Sequence, residues 1–480
     1  MRFPGLLAAL SLLATTLPTG IGEAAAAPAP TVIAAYTTVA PQSVAASRLV
    51  ARAVIDRSHS CPPLHVTIRG RQRTINMEVR SPASIVARNF DGVRVCSANV
   101  PVDATAASIA GTTIPAAMPR AVKRIAVLGD TGCRILNDIQ DCESTTAWPL
   151  APISTRIAAA RPDLIVHVGD YIYREEKCPD PADCGSSPGP IPQSGIRDRA
   201  AVWLLDVLTP MRALFAAAPI IFVRGNHEDC SYAGNGFYLF LDPRPDSATT
   251  CAPTRSGDTL TAPSRQLPPW GVSVRVAPTR TLRLVVVDSA YGWDDAVSSY
   301  AATQRRAYVR AQAMTMDKGI DESILLVHRP IFGVTTTRFA PAGDRAWTAW
   351  VSADQTAASR GLLDHYSMIV SGHEHLAQVA KVPGQPLQAI VGNGGTWLNP
   401  SRGYADPEVP PLVTALGTSM IDGPRLPKHS KLWTRVDFGF SLLTPGASVG
   451  EWTIDMRTAD GQSSMQTCRV RGLSLVRCAE

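Results

Sequence analysis

The sequence predicts a layered α/β domain with β-rich ends, and three observations carry that expectation. From Arg124 onward, short apolar runs alternate with longer segments of helical period, the trace left by strands and helices that pack in layers. Several of these runs stop at a glycine followed by a polar residue, as strands do where a site forms beyond their carboxyl ends. On either side, Leu64 to Ile68, Ile75 to Val79, Trp433 to Leu443 and Glu451 to Met456 read as strands without intervening helices.

In chain order, the expected strands of the α/β region are Ile125 to Leu128, Leu164 to Val168, Ile220 to Val223, Leu282 to Val287, Ile324 to Val327, Met368 to Val370 and Ala389 to Val391. Helices are expected at Arg197 to Ala217, Thr303 to Met316 and Ala353 to Leu363. Ala, Thr and Pro dominate Pro101 to Pro119, which reads as a linker, and the Pro-rich stretch Pro400 to Pro427 reads as a long surface loop. This divides the chain into a signal over residues 1–26, a β-rich region with its linker over 28–120, and a catalytic domain over 121–480 that includes the closing strands.

Composition narrows the function classes. With 480 residues, 45% of them hydrophobic and 18% charged, the chain can bury a large core and is not a disordered protein. The net charge of +6 comes with no dense Lys/Arg run, so no nucleic-acid-binding motif is present and any attraction for phosphate must be local. Arg2, the apolar stretch Leu6 to Leu17 and the small-residue run Ala24 to Ala27 read as an export signal cleaved near Ala26. Pro4, Pro18 and Gly20 break that stretch, and no later segment nears the roughly 18 apolar residues of a membrane span. A secreted or periplasmic protein with no span in the mature chain is expected, an uncleaved anchor being the rival reading. Ten cysteines, an even number, suit an oxidising compartment. Neighbours in sequence would pair as 61 with 96, 133 with 142, 178 with 184, 230 with 251 and 468 with 478, and the absence of any CxxC pair argues against a zinc site.

The chemistry lies at the strand ends. Five clusters follow apolar runs: Gly129-Asp130-Thr131-Gly132, Gly169-Asp170-Tyr171-Ile172-Tyr173, Gly225-Asn226-His227-Glu228, His328-Arg329-Pro330 and Gly372-His373-Glu374-His375. Carboxylates offer hard anionic oxygen, imidazoles borderline nitrogen, and a phenolate oxygen suits a highly charged ion such as ferric iron. The inventory fits two unlike metals about 3.5–4 Å apart, a spacing that clamps the attacking and leaving oxygens of phosphoryl transfer. Taken singly, each cluster is equally a turn or a helix cap. Together and in order, they point to one site.

These clusters resemble the calcineurin-like metallophosphoesterases and, within them, the purple acid phosphatases. That group's pattern is DxG, GDxxY, GNH followed by Asp or Glu, VxxH and GHxH. Four elements match in full, and Leu325-Leu326-Val327-His328 has leucine where the fourth has valine. The resemblance covers roughly residues 124 to 400 and implies an αββα sandwich. Tyr173, together with Gly132 in a position where many relatives carry histidine, selects the purple acid phosphatases. The resemblance implies a first metal, Fe(III), on Asp130, Asp170, Tyr173 and His375, and a second, divalent Fe, Zn or Mn, on Asp170, Asn226, His328 and His373. It further implies a metal-bound hydroxide as nucleophile, His227 beside the substrate as the catalytic residue, and a phosphomonoester substrate. A phosphodiesterase or nucleotidase using the same site is the enzyme alternative, and a metal-stabilised binding module without turnover is the alternative from another class. His167 is read as a core histidine at least as readily as a site residue, and structural ion pairs are the commoner fate of residues such as Arg134, Arg329 and Glu228. Asp288 could cap a loop near the site, and His59, His65, His365 and His429 have no partner motif. Substrate choice is expected to rest on the loops Cys178 to Ile196 and Tyr232 to Thr261.

Overall fold

The structure is a computed structural model of the chain. It describes residues 31–81, 88–136, 139–176, 198–245, 251, 266–294, 296–336, 347–350, 352–398, 431–472 and 474–479. The expected signal, the pairing of Cys178 with Cys184, the loop Cys178 to Ile196 and the loop Pro400 to Pro427 lie outside these residues.

Among the described residues, two large sheets form the frame. In the first, Ile125–Leu128, Leu164–His167 and Ile220–Phe222 run parallel, with Leu164 opposite Ile125 and Ile165 opposite Ile220. In the second, Arg280–Val287, Glu322–Val327, Met368–Ser371 and Leu387–Val391 run parallel, with Ile324 opposite Met368. Side chains alternate across a strand, and that period sorts the residues into layers. Ile125, Val127, Leu164 and Val166 of the first sheet share one core with Leu284, Val286, Leu326 and Val370 of the second. On the opposite faces, Ala126, Leu128 and Ile165 pack with Ile153, Ile157, Trp203 and Leu214, while Val285, Val287 and Leu325 pack with Tyr308, Ala311 and Leu363. The result is an αββα sandwich, and its strands are apolar on both faces because both are covered.

The flanks extend the first sheet at both ends. Val32–Val39 pairs with Ile220–Phe222 and continues into Leu49–Asp56, Val93–Asn99 and Glu78–Arg80. Gly439–Pro445 pairs antiparallel with Ile125–Leu128 and continues into Glu451–Thr458, Ser464–Arg471 and Ser474–Ala479. The buried Arg52 guanidinium donates to the carbonyls of Leu239, Phe240 and Asp242, tying the N-terminal strands to the helical segment that follows His227. The disulfides 61–96, 133–142, 230–251 and 468–478 form as expected from sequence neighbours. No helix among the described residues is long and apolar enough to cross a membrane.

Four sequence expectations need correction. The stretch Pro101 to Pro119 contains a hairpin, Ala104–Ile109 with Thr112–Ile114, turned at Ala110 and Gly111, which both take positive φ; its small residues suit a thin sheet as well as a linker. The run Ile75 to Val79 divides into Arg71–Ile75 and Glu78–Arg80 of different sheets. The helix expected over Arg197 to Ala217 is instead Ala200–Trp203, a π turn over Leu204–Leu208 and Arg212–Ala217. Pro210 lies in the break, where it lacks an N–H and would clash with the carbonyl four residues earlier. Finally, Trp433 to Leu443 is two strands, Lys431–Arg435 in the second sheet and Gly439–Pro445 in the first. The crossing is held by Asn393, whose Nδ2 donates to the Asp437 carbonyl at 2.7 Å and whose own carbonyl accepts the Gly439 N–H at 2.9 Å.

Candidate metal centre

Each cluster singled out in the sequence stands at the carboxyl end of a parallel strand, three in the first sheet and two in the second, so the clusters meet across the sandwich. The backbone there is bent out of its ordinary range. Asp130, Asp170 and His373 have φ of 56°, 57° and 72°, a left-handed conformation that costs a non-glycine residue about 1–3 kcal/mol and is kept at functional sites. Cross-strand bonds hold it: Asp130 donates its N–H to the Gly169 carbonyl and Thr131 donates to that of Asp170, both at 2.9 Å. His373 gives its N–H to the Asp130 carboxylate, 2.9 and 3.0 Å from its oxygens. The neighbouring glycines are required for space. A Cβ on Gly225 would sit 2.1 Å from Asp170 Oδ1, and one on Gly372 would sit 2.2 Å from Asp130 Oδ2.

All seven expected ligand side chains converge. Tyr173 Oη lies 3.0 Å from Asp130 Oδ1, 2.7 Å from Asp170 Oδ2 and 2.9 Å from His375 Nε2. Beside this group, Asn226 Oδ1 lies 2.6 Å from His373 Nδ1 and 3.0 Å from His328 Nε2, and these two nitrogens are 3.3 Å apart. Asp170 Oδ2 also lies 3.2 Å from His328 Nε2, so one carboxylate oxygen faces both groups. Gly132 cannot be replaced by histidine without rearrangement, since a Cβ there falls 2.4 Å from the Tyr171 carbonyl. Tyr173, not Tyr171, enters the centre; Tyr171 turns away, its hydroxyl donating to the Val223 carbonyl at 2.9 Å.

Hydrogen bonds on the outer side of each ring assign the histidine tautomers. His328 Nδ1 donates to the Val168 carbonyl at 2.8 Å, and His375 Nδ1 to the Trp397 carbonyl at 2.7 Å. His373 turns the other way and donates Nε2–H to Asp294 Oδ2 at 3.1 Å. The inward nitrogens therefore carry lone pairs, and His328 Nε2, His373 Nδ1 and the Asp170 carboxylate face one another. With their outer nitrogens donating, these groups form a set of acceptors that could hold a metal ion.

Charge tells the same story. Burial and the Asp170 carboxylate push Asp130 well above the usual carboxylate range. For Asp170, burial opposes ionisation, but positive charge on the facing His328 and His227 rings, when they are protonated, outweighs it and holds the group well below that range. Burial, with both carboxylates, raises the Tyr173 phenol well above its ordinary value. A phenolate at this position therefore needs a cation, which inverts that balance. His373 is pushed down to about 4 by burial and by Arg329, against the pull of Asp294, so it stays neutral and free to act as a donor.

His227 stands at the mouth, its side chain 19% exposed, with Nδ1 2.5 Å from Glu175 Oε1 and Nε2 3.8 Å from Asp170 Oδ2. Its ring packs on Tyr173, centroids 4.1 Å apart. Burial lowers its pKa, but Asp170 and Glu175 together raise it to about 9. Among the residues read as ambiguous, Glu228 is a structural pin. It is buried and accepts the backbone N–H groups of Gly225, Asp170, Tyr171 and Ile172. Asp288 pairs with Arg224 at 3.2 Å and accepts the Leu267 N–H. His167 is a satisfied core residue, 2.9 Å from Thr131 Oγ1 and stacked on Tyr171. Arg329 pairs with Asp294. Sequence reading passed over Glu175 and Asp294, because neither belongs to a strand-end cluster and each meets its histidine only through the fold.

The model of the calcineurin-like phosphoesterase family matches residues 123–377, more than half of the chain. The chain belongs to that family. Membership makes this chain a phosphoesterase of the calcineurin-like, metal-dependent kind, and its buried Asp170, His328 and His373 group could hold a metal ion. No curated protein matches the sequence. Among solved structures, the phosphoesterase is similar to purple acid phosphatase PPD1 from yellow lupin (Lupinus luteus) seeds, with TM-score 0.50 and 15% identity over 90% of this chain and 73% of that one. It is similar to PhoD with TM-score 0.51 and 10% identity over 93% of this chain and 92% of that one. At such identities the likeness is one of fold.

Proposed function

We propose that this phosphoesterase is an exported enzyme that hydrolyses phosphomonoesters at a binuclear centre of Fe(III) and a divalent Fe, Zn or Mn ion. The observation that carries the reading is the convergence of acceptor atoms on two adjoining positions that share Asp170 Oδ2. Asp130, Asp170, Tyr173 and His375 would hold the first cation, their anionic oxygens suiting the higher charge. Asp170, Asn226, His328 and His373 would hold the second. When bound, the cations supply Lewis acidity toward the phosphate oxygens and a water of lowered pKa.

The chain's own residues do the rest. His227 Nδ1 pairs with Glu175 Oε1 at 2.5 Å, which holds the ring with Nε2 toward the Asp170 carboxylate, 3.8 Å away. Glu175, which faces the ring from outside the ligand set, favours its protonated form, placed to offset phosphate charge or to protonate the leaving oxygen. Glu228 holds the Asp170 turn in place, so that this carboxylate need not reorganise as charge develops. Export is supported by the signal-like residues 1–26 and by the disulfides, which persist in oxidising compartments.

Turnover of p-nitrophenyl phosphate and of bis(p-nitrophenyl) phosphate by the metal-loaded protein tests this reading. The monoester is expected to be hydrolysed faster, and His227→Ala should lose about 10²–10⁴-fold in kcat with two metals per chain retained. Faster hydrolysis of the diester would make the enzyme a phosphodiesterase. No hydrolysis of either ester from acid to alkaline pH would leave a binding module.

A further inference from the structure

We propose that Asp294 is a positioning residue for the second metal position, setting which nitrogen of His373 faces the site. The inference rests on the ligand reading above and concerns a residue outside all five strand-end clusters.

Of the three histidines at the centre, two are aligned by the main chain. His328 and His375 each donate Nδ1–H to a carbonyl, of Val168 and Trp397, and turn Nε2 inward. His373 presents Nδ1 instead, and its outer nitrogen meets the carboxylate of Asp294 at 3.1 Å. That carboxylate is itself placed. Asp294 gives its carbonyl to the Ala353 N–H at 3.1 Å, and Asp354 accepts the N–H groups of Trp293 and Ser298 on either side, at 2.8 and 2.7 Å. The loop is thereby fastened to the start of the helix Ala353–Ser359.

The role becomes visible from what else lies near His373 Nε2. Arg329 Nη1 is 3.3 Å away and pairs with Asp294. Arginine is always a donor and never an acceptor. With Asp294 present, the carboxylate takes both the imidazole proton and the guanidinium. With Asp294 removed, Arg329 becomes the group facing Nε2 and donates to it, which moves the ring proton to Nδ1. There it points at Asn226 Oδ1, only 2.6 Å away, which accepts it. The ring is then locked by a hydrogen bond in the tautomer that cannot bind a metal. Loss of an outer carboxylate partner typically costs 10–100-fold in metal affinity, and here Arg329 adds an active competitor.

Titration of the metal-free, full-length protein with Zn(II) against a competing chelator tests the proposal. Wild type should bind two Zn(II) per chain with separable affinities. Asp294→Ala should weaken the second by about 10–100-fold while the first stays within about twofold. Adding Arg329→Met to that variant should recover part of the loss, because the competing donor is gone. Equal weakening of both sites with a lowered Tm would make Asp294 a structural residue and overturn the proposal, as would a second affinity within about twofold of wild type. Failure of the double variant to recover affinity would overturn the tautomer mechanism. Fewer than two Zn(II) bound by wild type would overturn the ligand reading and this inference with it.

Discussion

Buried carboxylates are treated differently in two regions of the molecule. Beneath the helices, each is met by donors of the protein's own. Asp206 pairs with Arg174 at 2.6 Å, Asp288 pairs with Arg224, and Asp198 accepts from Trp203 Nε1 at 2.9 Å and from the Gly236 N–H at 3.0 Å. At the strand ends, Asp130 and Asp170 accept from backbone N–H groups and from the Tyr173 hydroxyl, but their other neighbours are imidazole nitrogens, with no guanidinium paired to them among the described residues. Unpaired buried charge costs several kcal/mol, and the helix layer shows that this fold can supply counter-charges where they are needed. At the centre, imidazole rings stand where the helix layer places a guanidinium, His328 at 3.2 Å and His227 at 3.8 Å from Asp170 Oδ2, an arrangement that an external cation would complete.

Three experiments can break or sharpen that contrast. The largest effect is expected for Asp170→Asn, which removes the charge facing both positions. Metal analysis should find fewer than one ion per chain, and kcat/KM should fall on the order of 10³-fold, since metal clamping contributes several kcal/mol to such reactions. Two ions retained per chain would show that the centre does not depend on this carboxylate. Tyr173→Phe should abolish the visible charge-transfer absorption of the iron-loaded protein with both ions still present; a persistent band would assign the colour to another group.

The smallest effect concerns the helix layer. Burial, against the donors Trp203 and Gly236, raises Asp198 from 3.8 to about 6. Since the folded state favours the protonated form, the stabilisation is complete below the unfolded value and is lost as pH rises through about 6. Asp198→Asn keeps the neutral shape and should gain stability over wild type between pH 4 and 7.5, by on the order of 3 kcal/mol in denaturant midpoints. A loss at both pH values would show that this carboxylate is satisfied as an anion, and the contrast between the two regions would weaken.

Legibility in the sequence followed how local each feature is. Strands such as Ile125–Leu128 and Met368–Ser371 were readable because an apolar run buried on both faces leaves an unbroken pattern. The hairpin Ala104–Ile109 with Thr112–Ile114 is hidden in the sequence because alanine and threonine have too little contrast to show a period. The split of Trp433 to Leu443 between two sheets was hidden, since either sheet buries the same kind of side chain.

At the centre, the sequence alone determined the identity and order of the ligand candidates, because residue type and spacing within GDxxY or GHxH are covalent facts. Only the tertiary structure decided which ring nitrogen each histidine turns inward and what holds it there. Val168, Trp397, Glu175 and Asp294 reach His328, His375, His227 and His373 from other parts of the chain. Such contacts depend on how strands and loops meet in space, and no fixed spacing along the chain records them.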